Sequence, residues 1–211
     1  MTTEYYSNKR EEILRLIPSG AHLILDAGCW DGTFAALVKK ERGAEVWGIE
    51  INGKAAGSAR GKLDKVIEGD MAEAVKGLPD AKFDCIVFND SLEHLADPYS
   101  VLGEAKKKLA PGGAVVCSVP NMRYFPVFCG LVFKKEWNYT DTGVLDRTHL
   151  RFFTEKSIAG TFKELGYEVI KMEGINGITT WKFNILNALL LGSIKDTRYM
   201  QFACVARPNG R

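Results

Sequence analysis

The distribution of apolar and polar positions divides the chain into alternating short apolar runs and amphipathic stretches. Residues 4–17 set Tyr5, Ile13, Leu14 and Ile17 among charges, the spacing of a leading helix, and Pro18-Ser19-Gly20 ends it. HLILD (22–26) reads as a first strand, and TFAALVKK (33–40) after a glycine-containing turn reads as a helix. AEVWGIE (44–50) is a second strand and the small-residue stretch 52–60 a second helix in this series. DKVIEGD (64–70), FDCIVFND (83–90) and GAVVCSVP (113–120) are further strands, separated by MAEAVKGL and by a helix over 98–113 that closes on Pro-Gly-Gly. These strands are continuous apolar runs. Alternation with helices therefore predicts a parallel sheet covered on both faces, an α/β fold of the Rossmann-like, doubly wound kind.

The remainder is less regular. An apolar stretch, YFPVFCGLVF, leads into a polar loop ending in DRTHLRFF within 121–150. A Thr cap opens a helix over 154–166, a strand follows at 167–174, an apolar helical segment at 178–193 and a last strand at 198–208. The chain shows no internal repeat, low-complexity tract or linker, so one domain over 1–211 is expected.

Composition narrows the function. The hydrophobic share is 46%, the charged share 26% and the formal net charge +2, ordinary for a globular protein and short of the basic excess that favours nucleic acid. Cys29, Cys85, Cys117, Cys129 and Cys204 show no C-x-x-C spacing and several stand in apolar runs, so they read as buried reduced thiols and no metal is expected. The first residues lack an apolar secretory core and no apolar run approaches a membrane span, so a cytoplasmic location is the expectation.

The chemistry concentrates at Leu25-Asp26-Ala27-Gly28-Cys29-Trp30-Asp31-Gly32, which closes the first strand and opens the helix after it. Open parallel sheets bind ligands beyond the carboxyl ends of their strands. Glycine at such a turn gives the backbone positive φ and close approach. Glu50, ending the second strand, stands where an acid can hold a ribose. A dinucleotide requires G-x-G-x-x-G, but Trp30 fills the second glycine position and Thr33 the third; no P-loop is present either. An adenosine ligand without a pyrophosphate on this turn fits better than a nicotinamide cofactor.

LDAGCWDG resembles motif I of the class I S-adenosylmethionine-dependent methyltransferases, D/E-x-G-x-G-x-G, with Trp30 replacing its middle glycine. GIEI (48–51), EGDM (68–71), FNDSLEHL (88–95) and KKLAPGGAVVCSVPN (107–121) resemble the later segments of that class. GVLDRTHLRFFTEKSI (143–158) looks like a narrower branch that includes MetW-like and polysaccharide-cluster methyltransferases. The resemblance implies a seven-stranded, mostly parallel sheet with a final antiparallel strand. It also implies S-adenosylmethionine as cofactor. Asp26, Gly28, Cys29, Trp30 and Gly32 would form the methionine-side turn, Glu50 and Ile51 the ribose side, Asp70 and Met71 the adenine side, and Asn89 and Leu92 the end of strand four. Asp70 alternatively reads as a helix N-cap before MAEAV.

Methyl transfer to a hydroxyl needs a base or a positioning group near the acceptor. His94 follows strand four and His149 lies in DRTHLRFF; each reads as base, substrate ligand or rim residue. The spacing of Arg147, His149 and Arg151 suggests one extended face able to hold an anionic substrate, unless the arginines pair with acids such as Asp141 or Glu155. His22, entering strand one, reads as structural. The branch resemblance implies O-methylation of a small molecule, a sugar or surface-glycan precursor. A non-catalytic cofactor-binding partner is the alternative. No nucleic acid is expected, since Asn89-Asp90-Ser91-Leu92 stands where base methyltransferases carry N/D-P-P-Y/F. The apolar segments 124–133 and 181–191 are candidates for a substrate lid, a homodimer face or a membrane-surface contact.

Overall fold

The structure, a computed structural model, describes residues 10–210. Of the expected leading helix, 4–9 lie outside the described residues, and α1 (Glu11–Leu14) is its helical remainder. There follow β1 (Leu23–Ala27), α2 (Thr33–Arg42), β2 (Glu45–Glu50), α3 (Gly53–Ala59), β3 (Lys65–Glu68), α4 (Met71–Lys76) and β4 (Phe83–Asn89). Then come a 3-10 turn (Leu92–His94), α5 (Pro98–Lys108), β5 (Leu109–Pro120), α6 (Phe125–Cys129) and a π-helical turn (Gly130–Lys134). α7 (Glu155–Glu164), β6 (Tyr167–Gly177), α8 (Trp181–Leu189) and β7 (Tyr199–Pro208) complete the order.

The seven strands form one sheet in the order β3-β2-β1-β4-β5-β7-β6. β1 to β5 pair in parallel. β7 runs antiparallel to both β5 and β6. This is the expected seven-stranded architecture. The strand order reverses between β1 and β4, so the carboxyl ends of β1, β2 and β4 border one crevice.

Each sheet face has its own apolar layer. Leu25, Ile49, Ile86, Phe88 and Val115 meet α4, α5 and α7 on one side. Ile24, Val46, Val87 and Val116 meet Ile13 of α1 and Phe34 and Val38 of α2 on the other. Alternate residues of one strand thus feed opposite cores, which is why the strands read as unbroken apolar runs.

One boundary differs. The helix expected over 98–113 ends at Lys108, and Pro111-Gly112-Gly113 belongs to the start of β5. Leu109 already pairs with Phe83, and proline cannot continue a helix. A Cβ on Gly113 would lie 2.9 Å from the Phe83 carbonyl oxygen, so only glycine fits where the strand enters the sheet.

Candidate functional site

The turn after β1 is held from below. The N–H groups of Gly28 and Cys29 both donate to the Ile49 carbonyl, at 2.9 and 3.0 Å. Gly28 has φ 94°, and a Cβ there would lie 2.9 Å from Ser91 Cβ and 3.3 Å from Met71 Cε. Glycine is required at this point both by conformation and by space. Trp30 has φ 49°, so tryptophan adopts the left-handed conformation that the missing glycine would supply. The departure from the motif leaves the path of the turn intact.

Glu50 is the hub of this turn. Its carboxylate accepts from the backbone N–H of Trp30 at 2.9 Å and from that of Asn52 at 2.7 Å. One oxygen faces each donor, and each keeps a lone pair for a ligand. Asp26, at the end of β1, is 3% exposed, and its Oδ1 has no hydrogen-bond partner. Burial, and then the Glu50 carboxylate, push Asp26 up to about 7.

A cavity of about 310 Å³ opens beside these residues, lined by Gly28, Trp30, Glu50, Ile51, Asp70 and Met71 on one side. Asp90, Ser91, His94 and Leu95 close the other. The expected adenine, ribose and methionine segments therefore converge on one crevice at the reversal of strand order. Asp70 is the helix N-cap and also borders the cavity. Its Oδ1 caps α4 by accepting from the backbone N–H groups of Ala72 and Glu73.

Other expected residues stand behind the wall. The Cys29 side chain belongs to the core layer under α2, where a Cβ on Gly48 would meet its sulfur at 2.5 Å. Gly32 (φ 77°) lets the turn approach Ala59 of α3, whose Cα would be 3.1 Å from a Cβ. Leu92 is fully buried in the opposite core layer. Asn89 Oδ1 lies 3.1 Å from Ser118 Oγ at the strand end.

Asp90 was missed in the sequence and is central here. It takes φ 51° and is buried. Its carboxylate accepts from Ser118 Oγ at 2.6 Å, from Gln201 Nε2 at 2.7 Å and from the Arg10 guanidinium. Burial alone would raise Asp90; the Arg10 charge and these hydrogen bonds outweigh it and hold the carboxyl below its ordinary range. A polar residue after an apolar strand was the available signal, but its partners are distant in sequence.

The two histidines come together. Their rings meet edge to face with centroids 4.9 Å apart. The loop carrying His149 is fastened to the 3-10 turn because Leu150 and Arg151 donate their backbone N–H groups to the Glu93 carbonyl, at 2.8 and 3.0 Å. Arg147 does not join them. It pairs with Asp141 at 2.8 Å in an exposed position and does not line the cavity, and Arg151 donates to the Ala96 carbonyl. The expected single face of Arg147, His149 and Arg151 is absent because the backbone turns there, with His149 N–H donating to the Asp146 carbonyl.

Comparison with known proteins fixes the family. The methyltransferase domain family matches residues 3–172. The chain belongs to that family. Among curated relatives, a ubiquinone biosynthesis O-methyltransferase of Azoarcus sp. (strain BH72) is 30% identical over 159 residues, covering 72% of this chain and 66% of the relative. A ribosomal protein L11 methyltransferase of Paraburkholderia xenovorans is 35% identical over 100 residues, covering 45% of this chain and 31% of that one. The chain thus spans two thirds or less of these relatives. A crystal structure of a SAM-dependent methyltransferase from Archaeoglobus fulgidus superposes with a TM-score of 0.69 at 21% identity, covering 94% of each chain. That likeness establishes the fold. Among the described residues, no helix is long and apolar enough to cross a membrane.

Proposed function

We propose that this methyltransferase-family protein transfers the methyl group of S-adenosylmethionine to a hydroxyl group of a small molecule. The observation that carries the reading is Glu50. It is a buried carboxylate at the end of β2, fixed by two backbone donors of which one is the motif I turn itself. It lines the same cavity as Gly28, Asp70 and Met71. Such a carboxylate suits a ribose diol. The buried, unpartnered Asp26 Oδ1 suits an amino group, and the flat Gly28 surface suits close approach of a ligand. When bound, S-adenosylmethionine supplies a methyl group on a sulfonium centre, and the hydroxyl that receives it loses its proton.

The protein's own contribution is positioning and the exclusion of water. Glu50 and Asp70 would fix the nucleoside end, and Asp26 the methionine end. Leu95 and Met71 present apolar surface to the cavity. His94 handles the acceptor oxygen or its proton. Its Nδ1 lies 3.3 Å from the Thr148 carbonyl, which can only accept, so Nδ1 carries the proton and Nε2 keeps a lone pair.

The hydroxyl acceptor is supported by the relatives named as ubiquinone biosynthesis O-methyltransferases. A sugar or surface-glycan acceptor has no counterpart among them, so the reading stops at a hydroxyl-bearing small molecule. The test is isothermal titration of the full chain with S-adenosylhomocysteine and, in parallel, with NADH. Binding of the first alone, lost in Glu50→Ala, is the expected result. NADH binding, or no binding of either ligand by a folded wild type, overturns the reading.

A further inference from the structure

We infer that Glu93, His94 and His149 form a binding site for a divalent transition-metal ion on the acceptor side of the cavity. One potential ligand atom from each of the three lies within 4.8 Å of the others. Ligand atoms about 2.1 Å from a tetrahedral ion stand about 3.4 Å from one another, so closure by about 1.4 Å at most completes the site. Side-chain rotation is enough for that.

Three observations point to a ligand rather than to a packed core. First, Glu93 is 1% exposed and both of its carboxylate oxygens are buried with no hydrogen-bond partner. Fold alone does not account for a carboxyl group held there, since burying one without partners is costly. The Arg10 guanidinium, whose charge acts on Glu93, is engaged by Asp90 and Glu12.

Second, both imidazoles are oriented as metal ligands are. His94 Nδ1 donates to the Thr148 carbonyl and His149 Nδ1 to the Val144 carbonyl, at 3.3 and 3.1 Å. A carbonyl on one ring nitrogen leaves the lone pair on the other and fixes the ring. Thr148 is itself fixed, because its hydroxyl donates to Asp146 Oδ1 at 2.6 Å.

Third, the site is built from two segments joined on purpose by backbone. The Glu93 carbonyl accepts the two N–H groups that follow His149 in the chain. The turn holding Glu93 and His94 and the loop holding His149 are therefore one unit.

Two nitrogens and one carboxylate oxygen select a borderline ion such as zinc over magnesium, which favours oxygen donors. His94 also lines the cofactor cavity, so an ion held here borders the acceptor. With His94 Nε2 engaged by the ion, the ion rather than the imidazole would meet the acceptor oxygen and ease ionisation of the hydroxyl. This last consequence rests on the methyl-transfer reading; the metal site does not.

The experiment titrates chelator-treated full-length protein with zinc and, separately, with magnesium by calorimetry. Cobalt absorption reports the ligand geometry, and S-adenosylhomocysteine binding is measured on the same samples. The wild type should take up one zinc per chain, its melting temperature should rise with zinc, and magnesium should bind at least about 100-fold more weakly. Glu93→Gln and His149→Asn should each weaken zinc at least about 10-fold while still melting cooperatively. Glu93→Gln should raise the melting temperature of the metal-free protein, since it removes a buried unpaired carboxyl. His22→Asn, at the far end of β1, should change nothing.

No zinc uptake by wild type, zinc uptake unchanged in both variants, or preference for magnesium would each overturn the inference. Nucleoside binding without zinc would sink the metal site and leave the methyltransferase reading standing. Zinc binding without nucleoside binding would do the reverse.

Discussion

At the scale of single residues the turn after β1 is governed by backbone conformation more than by side-chain identity. Trp30 holds φ 49° and still donates its N–H to Glu50. A left-handed conformation costs a non-glycine residue about 1–2 kcal/mol, so Trp30→Gly should relieve strain, and nucleoside affinity measured by calorimetry should stay within about threefold. Gly28 has no such latitude. Gly28→Ala places a methyl 2.9 Å from Ser91 Cβ at φ 94° and should cost about 1–3 kcal/mol in urea unfolding, with nucleoside binding lost. Rotation of Ser91 would not rescue it, since the clash is with its Cβ, which rotation leaves in place, and Ser91 Oγ donates to the Ala27 carbonyl at 2.8 Å. Gly28, Glu50, Asp70 and Met71 were legible in the sequence because each ends or follows a strand whose apolar run is unmistakable. Glu93 and Asp90 were not, because a carboxylate beside a strand end looks the same whether it faces solvent, Arg10 or two histidines.

At the scale of elements, the parallel half of the sheet was readable from runs of apolar residues, each bounded by a turn. The region 121–150 was not. It contributes one short helix, a π-helical turn and a loop held by isolated hydrogen bonds, none of which leaves a periodic pattern. The long-range ties of α1 were equally hidden. Arg10, at its start, bonds to Asp90 at the end of β4 and to Ser118 in β5. Removing one partner of a buried pair strands the other charge, a loss of about 3–5 kcal/mol. Arg10→Ala should therefore lower the unfolding free energy by that order, moving the urea midpoint down, and weaken nucleoside binding. An unchanged midpoint would show that Ser118 and Gln201 alone satisfy Asp90. The cap of α7 provides a milder contrast. Thr154 and Ser157 satisfy each other's backbone N–H groups, so Thr154→Ala should cost about 1 kcal/mol and leave ligand binding untouched.

At the scale of the whole molecule, the cofactor crevice sets a pH dependence of folding. Asp26 is raised from 3.8 to about 7 by burial and then by Glu50. Between those values the folded state binds a proton that the unfolded chain has released, so this group's contribution to stability falls as pH rises. The contribution is fully present below about pH 4 and lost by about pH 7, and its size is at most about 4 kcal/mol. The titratable groups coupled to Asp26 are Glu50, Cys29 and Cys85, and burial pushes both thiols up, so neither titrates in that window. Asp26→Asn removes the ionisation while keeping the shape of the side chain. Urea unfolding of the two proteins should nearly coincide at about pH 3, below the unfolded value, and differ by about 1 kcal/mol at about pH 4.5. The variant should become progressively the more stable up to about pH 7, with a constant gap above it. A gap that does not change with pH would mean that Asp26 stays ionised in the fold, its charge met by a partner in solution. The same variant should bind S-adenosylhomocysteine more weakly at pH 8, where the wild-type carboxylate is charged and an ammonium group is its natural counterpart. Stability gained and affinity lost in one substitution is the signature of a buried acid kept for its ligand rather than for the fold.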